Sequence, residues 1–376
     1  MTLKLISDAI ANDQIVQGAL SDLESGLKVR LAVTKSAIPY VSATVAKTRP
    51  VVLIAATERA AQDLANSLTD FVAEENIAVF PAWETLPHER LSPSSDTVGR
   101  RMAVLRRLAH PKEVAPIKVL VTSARAFIQP IVAGLGDVPA LRISTGDDFS
   151  LEKLVTELSR LGFDRVDLVD RRGQFAVRGG IVDLFPPALE HPLRVEFWGD
   201  TVEEIRAFSI ADQRSLGIAV DQIFATACRE LLITDDVAAK AASLIGSHPE
   251  LSEMLEKIAA GIAAEGMESL IPVLVPKLEM LIDVIDAKSV IIEAEPERLE
   301  TRAHELVSTS AEFLEASWSN ATAGNVSPID LEASAFRDYR ELRDESNSHA
   351  WLGLTTLAGP TDESPDIEAT PDYRSK

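Results

Sequence analysis

Hydrophobic and polar positions along the chain fall into short apolar runs that alternate with amphipathic stretches. Residues 51–56 form a continuous apolar run behind Pro50, the pattern of a strand buried on both faces of a parallel sheet. Thr57 is placed to cap the helix that follows, with Glu58 in its first turn and Leu64 and Leu68 on one face. Residues 77–80 predict a second strand and residues 117–121 a third, with Ser123 as the next cap. This β-α-β rhythm predicts an open α/β sheet.

Near residue 140 the pattern changes. Residues 151–161 read as a helix, and residues 174–210 are mostly period two and rich in β-branched and aromatic side chains. Arg194, Glu196 and Trp198 alternate with Val195 and Phe197, Gly199-Asp200 supplies a turn, and a second strand runs through Ile205. A small α+β domain of about 80 residues fits this stretch. The α/β rhythm then returns. Residues 251–264 read as helical, residues 278–285 are apolar, residues 289–292 read as a buried strand, and Pro296 opens a helix with Leu299, Ala303 and Leu306 on one face. The expected organisation is an α/β domain over 1–127, interrupted by the small domain at 128–216 and resumed over 217–330. Residues 331–376 read as a linker or the start of a truncated further domain. From Gly359 the acids and prolines predict disorder.

Composition narrows the function classes. Acids outnumber Lys plus Arg 58 to 37, for a net charge of −21, which argues against wholesale wrapping of nucleic acid while leaving room for a local basic patch. A single cysteine, Cys228, excludes an intrachain disulfide and a Cys-based zinc site. The six histidines show no His-Glu-x-x-His spacing, so no metal centre is expected. No apolar run reaches membrane-span length and residues 1–11 carry no cleavage signature, so a cytoplasmic location is expected.

Three segments could carry chemistry. The first, residues 31–46, lies between a strand and a helix, where a nucleotide-binding α/β domain places its phosphate loop. Such a loop needs glycines whose N–H groups close around phosphate, a Lys for the β/γ charge and a Ser or Thr for magnesium. Here Ala32, Lys35 and Ala37 stand at the glycine positions and Ile38 and Pro39 at the Lys and Ser/Thr positions. Proline also removes an N–H, so a loop that merely packs is the better reading than an ATP site. The second, residues 83–102, is a proline-containing loop leading into a helix that Asp96 or Thr97 can cap. Val98, Met102, Leu105 and Ala109 share one face, with Arg100 and Arg107 opposite and Arg101 and Arg106 flanking. These four arginines are either a phosphate- or acid-facing patch or an ordinary solvated face, and the second is the commoner outcome.

The third segment is 162–186. Arg165 and Arg178 could project from strands onto a shared face with Phe185 beside them, the composition of an interface hot spot. Against this, Phe185 could be core and the arginines could pair locally with Asp167, Asp170 or Asp183. Catalytic constellations are otherwise missing: there is no Gly-x-Ser-x-Gly elbow and no helicase-like acidic box.

The motifs Trp83-Glu-Thr-Leu-Pro with Ser92-Pro93, Gly162-Phe-Asp-Arg-Val-Asp, Arg178-Gly-Gly-Ile-Val-Asp-Leu-Phe-Pro186, Phe197 with Asp200, and Phe208-Ser-Ile-Ala-Asp-Gln-Arg214 closely resemble the N-terminal part of the bacterial transcription-repair coupling factors, the Mfd family. Residues 86–90 and 266–270 resemble its actinobacterial members. The resemblance covers roughly residues 5–350. It implies a UvrB-like, degenerate P-loop α/β domain interrupted by a small UvrA-binding domain. Arg165, Arg178 and Phe185 match the family's UvrA-contacting arginines and aromatic by motif position, which favours the interface reading of the third segment. UvrA is the implied partner. The whole family protein is an ATP-dependent DNA translocase that reaches RNA polymerase and DNA through domains absent from this chain, where its ATP and Mg sites also lie. A C-terminal domain masks the UvrA surface. No cofactor and no catalytic residue is expected in this chain. Against the recruiting role stand a nucleotide hydrolase with an unorthodox loop and a DNA-binding module using Arg100, Arg101, Arg106 and Arg107.

Overall fold

The computed structural model describes residues 9–25, 28–86, 89–112, 115–323 and 335–357, except for the side chains of 316–323. The expectation of a disordered end from Gly359 lies outside the described residues.

Six strands form a parallel sheet in the order Val29–Ala32, Ala350–Thr355, Val290–Ala294, Val51–Ala55, Val119–Ser123, Ile77–Phe80. The four central strands are buried at every position, and Val51–Ala55 accordingly reads as an unbroken apolar run. Their side chains alternate between two helical layers. Leu53 and Val121 join Ile38, Val41 and Leu68 on one side, and Ile54 and Leu120 join Met102, Phe127 and Leu299 on the other. The caps stand where the sequence put them at two helices: Thr57 Oγ1 accepts from Ala60 N at 3.2 Å and Ser123 Oγ from Ala126 N at 3.1 Å. On the helix Ser95–Ala109 the cap is neither Asp96 nor Thr97 but Ser94, which accepts from Thr97 N at 3.3 Å.

The region 331–376 is not simply a linker. Phe336, Tyr339 and Leu342 are core residues, and Ala350–Thr355 is inserted between the first strand and Val290–Ala294. Burial of Trp351, Leu352 and Leu354, at 0–1% exposure, holds this strand inside the sheet.

The small domain begins later and ends later than 128 and 216. Ile131–Val132 pairs with Leu278–Glu279, and Gly136 sits so close to the Ser95–Ala109 helix that a Cβ there would stand 2.7 Å from Leu105 O. At the other end, Gln222–Ala225 pairs with Leu141–Ser144. Between 235 and 274 lies no sheet strand but a helical cluster with its own core, built on Val237, Leu255, Ile258 and Met267. Its Ser252–Ala259 helix stops short of 264, before Gly261 at φ +77°.

The second sheet runs Ser215–Ala219, Thr201–Phe208, Leu193–Trp198, Ile181–Leu184, Gln174–Arg178, Asp164–Arg165, antiparallel except for its last pair. Its inner face, with Phe175, Val182, Leu193, Val195 and Ile205, packs with Leu154 and Leu158 of the helix Leu151–Arg160 in a core continuous with the α/β layer. The segment leaving this domain is riveted in place. Glu230 meets the fully buried Arg101, while Arg229 bonds Glu268 at 2.9 Å, Ser92 at 3.2 Å and Asp164 at 3.3 Å.

Candidate partner-binding face

The small sheet turns one face to the core and the other outward. Strand register assigns the outward set: Ala176 stands across from Asp183, Asp183 from Arg194, and Arg194 from Arg206, while Arg178 stands across from Ile181, Ile181 from Glu196, and Glu196 from Glu204. Two charged rows therefore cross the sheet. Arg194 grips Asp183 through both carboxylate oxygens at 2.7 and 2.8 Å, and Arg206 bridges Glu196 and, at 3.3 Å, Glu204. The bidentate bond from Asp183 raises the Arg194 guanidinium further above its ordinary value, so this charge is permanent. One end of the face is roofed by the turns around Val169 and Gln213, and the other is open.

Arg178 and Arg165 are both exposed, and among the described residues neither has a carboxylate within salt-bridge distance. Arg178 donates only to Asp167 O at 3.2 Å. The expected shared face is not formed. Arg165 pairs in register with the inward-facing Phe175, and Arg178, three positions on, falls on the other side of the sheet. Of the acids weighed as local partners, Asp183 goes to Arg194 and Asp170 lies beside Arg171 at 4.0 Å.

Phe185 is not presented to a partner. It is 3% exposed and packs with Val169, Ala176 and Phe208 under the Arg172 guanidinium, 5.1 Å from its ring centre. It shares the outer side of the sheet with Asp183, held by Gly173 N donating to Phe185 O at 2.8 Å and Phe185 N to Gln174 O at 2.9 Å, and it is buried because the turns around Val169 and Gln213 cover that end of the face. The interface-type residues that the motif argument missed are Arg194, Glu196, Glu204 and Arg206. The alternation of Arg194 and Glu196 with Val195 and Phe197 carried their signal.

The four helix arginines do not form a patch. Arg101 is fully buried against Glu230, with Phe80 4.3 Å below its guanidinium. Arg107 donates to Glu75 O and Ala115 O, Arg106 to Val138 O, and Arg100 pairs with Asp96 at 3.2 Å. Three of the four are thus committed to fixing backbone or a buried acid.

The phosphate-loop positions lie at the carboxyl ends of the parallel strands, where an open α/β sheet binds its ligand. Ala32, Ala37, Ile38 and Pro39 are buried, and Ile38 and Pro39 start the helix Ile38–Val45. Lys35 Nζ faces Glu295 at 3.7 Å, and Arg30 pairs with Glu297 next to Thr355. No glycine lies between residues 31 and 46, so the backbone cradle that a nucleotide phosphate needs is replaced by packed side chains. The residues present do not fit ATP and magnesium. Deeper in the sheet, burial pushes the Glu293 carboxyl up, offset in part by the Tyr339 hydroxyl at 2.7 Å and by Arg343 at 3.2 Å.

Among the described residues no helix is long and apolar enough to cross a membrane. The UvrB interaction domain model matches residues 141–226, which spans the second sheet and the strand Gln222–Ala225. Transcription-repair-coupling factors of Mycobacterium bovis and Mycobacterium tuberculosis are each 43% identical, over 92% of this chain and 30% of the relative. That of Bacillus subtilis is 26% identical over 78% of this chain and 27% of the relative. The chain spans about 30% of the length of the mycobacterial relatives. It therefore contains a UvrB interaction domain, set in a segment related over nearly its whole length to part of the transcription-repair coupling factors.

Proposed function

We propose that this chain is the repair-recruiting part of a transcription-repair coupling factor. It binds UvrA through the outer face of the small sheet and so brings nucleotide-excision repair to stalled RNA polymerase. The observation that carries the reading is the coincidence of the matched domain, residues 141–226, with a sheet whose outward side is a charged ladder ending in the unpaired Arg178. An exposed guanidinium without an acid of its own gains a charge-assisted pair on docking instead of exchanging one. Arg165, at the sheet edge, adds a second such charge from the opposite side.

In this reading the chain itself catalyses nothing and needs no nucleotide or metal. Its α/β domain is a scaffold, locked by Lys35–Glu295 and Arg30–Glu297 where a motor domain would hold phosphate. Translocation on DNA, and contact with DNA and RNA polymerase, belong to other parts of the whole family protein. The test is a titration against UvrA, wild type beside Arg178→Ala. Binding that the substitution weakens by about tenfold or more supports the reading. Absence of binding by folded wild-type chain overturns it.

A further inference from the structure

Trp198 is 79% exposed, the most exposed large apolar side chain among the described residues, whereas Trp83 and Trp351 are 4% and 0% exposed. Such a side chain ordinarily dangles from a loop. This one does not. It ends the strand Leu193–Trp198, and its hairpin tip is tied down from two sides. Phe149 N donates to Asp200 O at 2.8 Å, Gly146 N to Val202 O at 2.8 Å, and Val202 N to Asp147 O at 3.0 Å. Phe197 N donates to Gly180 O at 2.9 Å, joining this tip to the turn that follows Arg178.

The register also fixes which way the indole faces. A bulge between Glu196 and Phe197 leaves Glu203 as the extra residue on the opposite strand, so alternation along Leu193–Trp198 is unbroken. Val195 and Phe197 turn to the core, and Arg194, Glu196 and Trp198 turn outward. Arg178 lies on the same side across Ile181. The two tips approach so closely that a Cβ on Gly180 would stand 3.3 Å from Phe197 O. The outer face thus carries, on two tips whose backbones touch at Gly180 and Phe197, a guanidinium without a carboxylate partner and a bare indole.

We infer that Trp198 is the aromatic anchor of this face, seated in an apolar pocket of UvrA beside the carboxylate that takes Arg178. The inference rests on the UvrA reading above and supplies the aromatic contact that the buried Phe185 cannot make. An indole carried on held backbone, with two χ angles to order, brings a large apolar area and a donor N–H at modest entropic cost, which fits the enrichment of Trp and Arg among residues that dominate binding energy at interfaces.

The experiment is a UvrA titration with wild type, Trp198→Phe, Trp198→Ala and Arg178→Ala, with the melting temperature of each recorded. Because Trp198 contributes little to the core, all four are expected to melt together. Affinity is expected to fall in the order Trp, Phe, Ala, with the Ala variant weaker by about tenfold or more. If Trp198→Ala stays within about threefold of wild type while Arg178→Ala is weakened, the anchor is elsewhere and the UvrA reading stands. If Phe and Ala are equally weak at unchanged melting temperature, an aromatic pocket is ruled out. If folded wild type does not bind UvrA, both fall.

Discussion

Replacing Arg101 by methionine removes the one charge that balances Glu230 inside the protein. The two side chains are 0% and 1% exposed. Arg101 meets Glu230 through Nε and, at 3.3 Å, through Nη2, and it donates to Pro81 O at 2.8 Å. Among the described residues the other side-chain donor to Glu230 is Trp83 Nε1 at 2.9 Å. The variant therefore strands a carboxylate with one neutral donor and leaves a backbone carbonyl unpaired. Breaking a buried pair from one side costs about 3–5 kcal/mol, and for a chain of this size each kcal/mol moves the melting temperature by about 2 °C. A drop of roughly 6–10 °C is expected by calorimetry. Arg100→Met, one residue earlier, is the control. Its pair with Asp96 is exposed and is worth no more than about 0.5 kcal/mol, so a shift of about 1 °C is expected. Equal shifts for the two neighbours would refute the reasoning, because exposure is the main physical difference between their ion pairs.

Three further outcomes follow from the same geometry. Phe185→Ala empties a core site between Val169, Ala176 and Phe208 and should cost about 3–5 kcal/mol, so any loss of UvrA binding should track unfolding and return on cooling below the lowered melting point. Burial raises the Glu293 carboxyl above its unfolded value, so its contribution to stability is present at low pH and lost as pH rises through the folded value; the advantage of wild type over Glu293→Gln should shrink as pH rises above the ordinary carboxylate range, and an advantage that grows would contradict it. Mg-ATP at millimolar concentration should leave the melting temperature unchanged, and a reproducible rise would mean that the packed loop at Lys35 opens to phosphate.

How much of this was legible in the sequence depends on where the partner of each residue lies. The strands Val51–Ala55 and Ile77–Phe80 announce themselves because both faces are apolar and their flanks carry their own caps and breaks. Ala350–Thr355 is as deeply buried, yet Gly353 interrupts its apolar run, and the charged helix Tyr339–Glu345 precedes it. Its place between Val29–Ala32 and Val290–Ala294 is a fact of topology that local pattern does not encode. The arginines make the same point at the level of single charges. On the helix Ser95–Ala109, Arg101 sits three residues after Val98 and four before Leu105, inside the apolar stripe, but its acid is 129 residues downstream. Periodicity alone left Arg101 grouped with the exposed Arg100.

The small sheet shows where such local reasoning succeeds and where it stops. Alternation told inward from outward along Leu193–Trp198, and there the structure agrees residue by residue. Alternation puts Phe185 on the outer side with Asp183 but could not say that this end of the face is covered by Val169, Phe208 and the Arg172 guanidinium, which come from turns distant in sequence. An aromatic chosen by motif position thus proved to be core, while the aromatic that strand parity points outward, Trp198, carries no local charge partner to explain its exposure. For a recruiting surface the second kind of signal is the stronger one. Folding gains little from leaving an indole in water on rigid backbone, so the area it exposes is free to be buried by a partner.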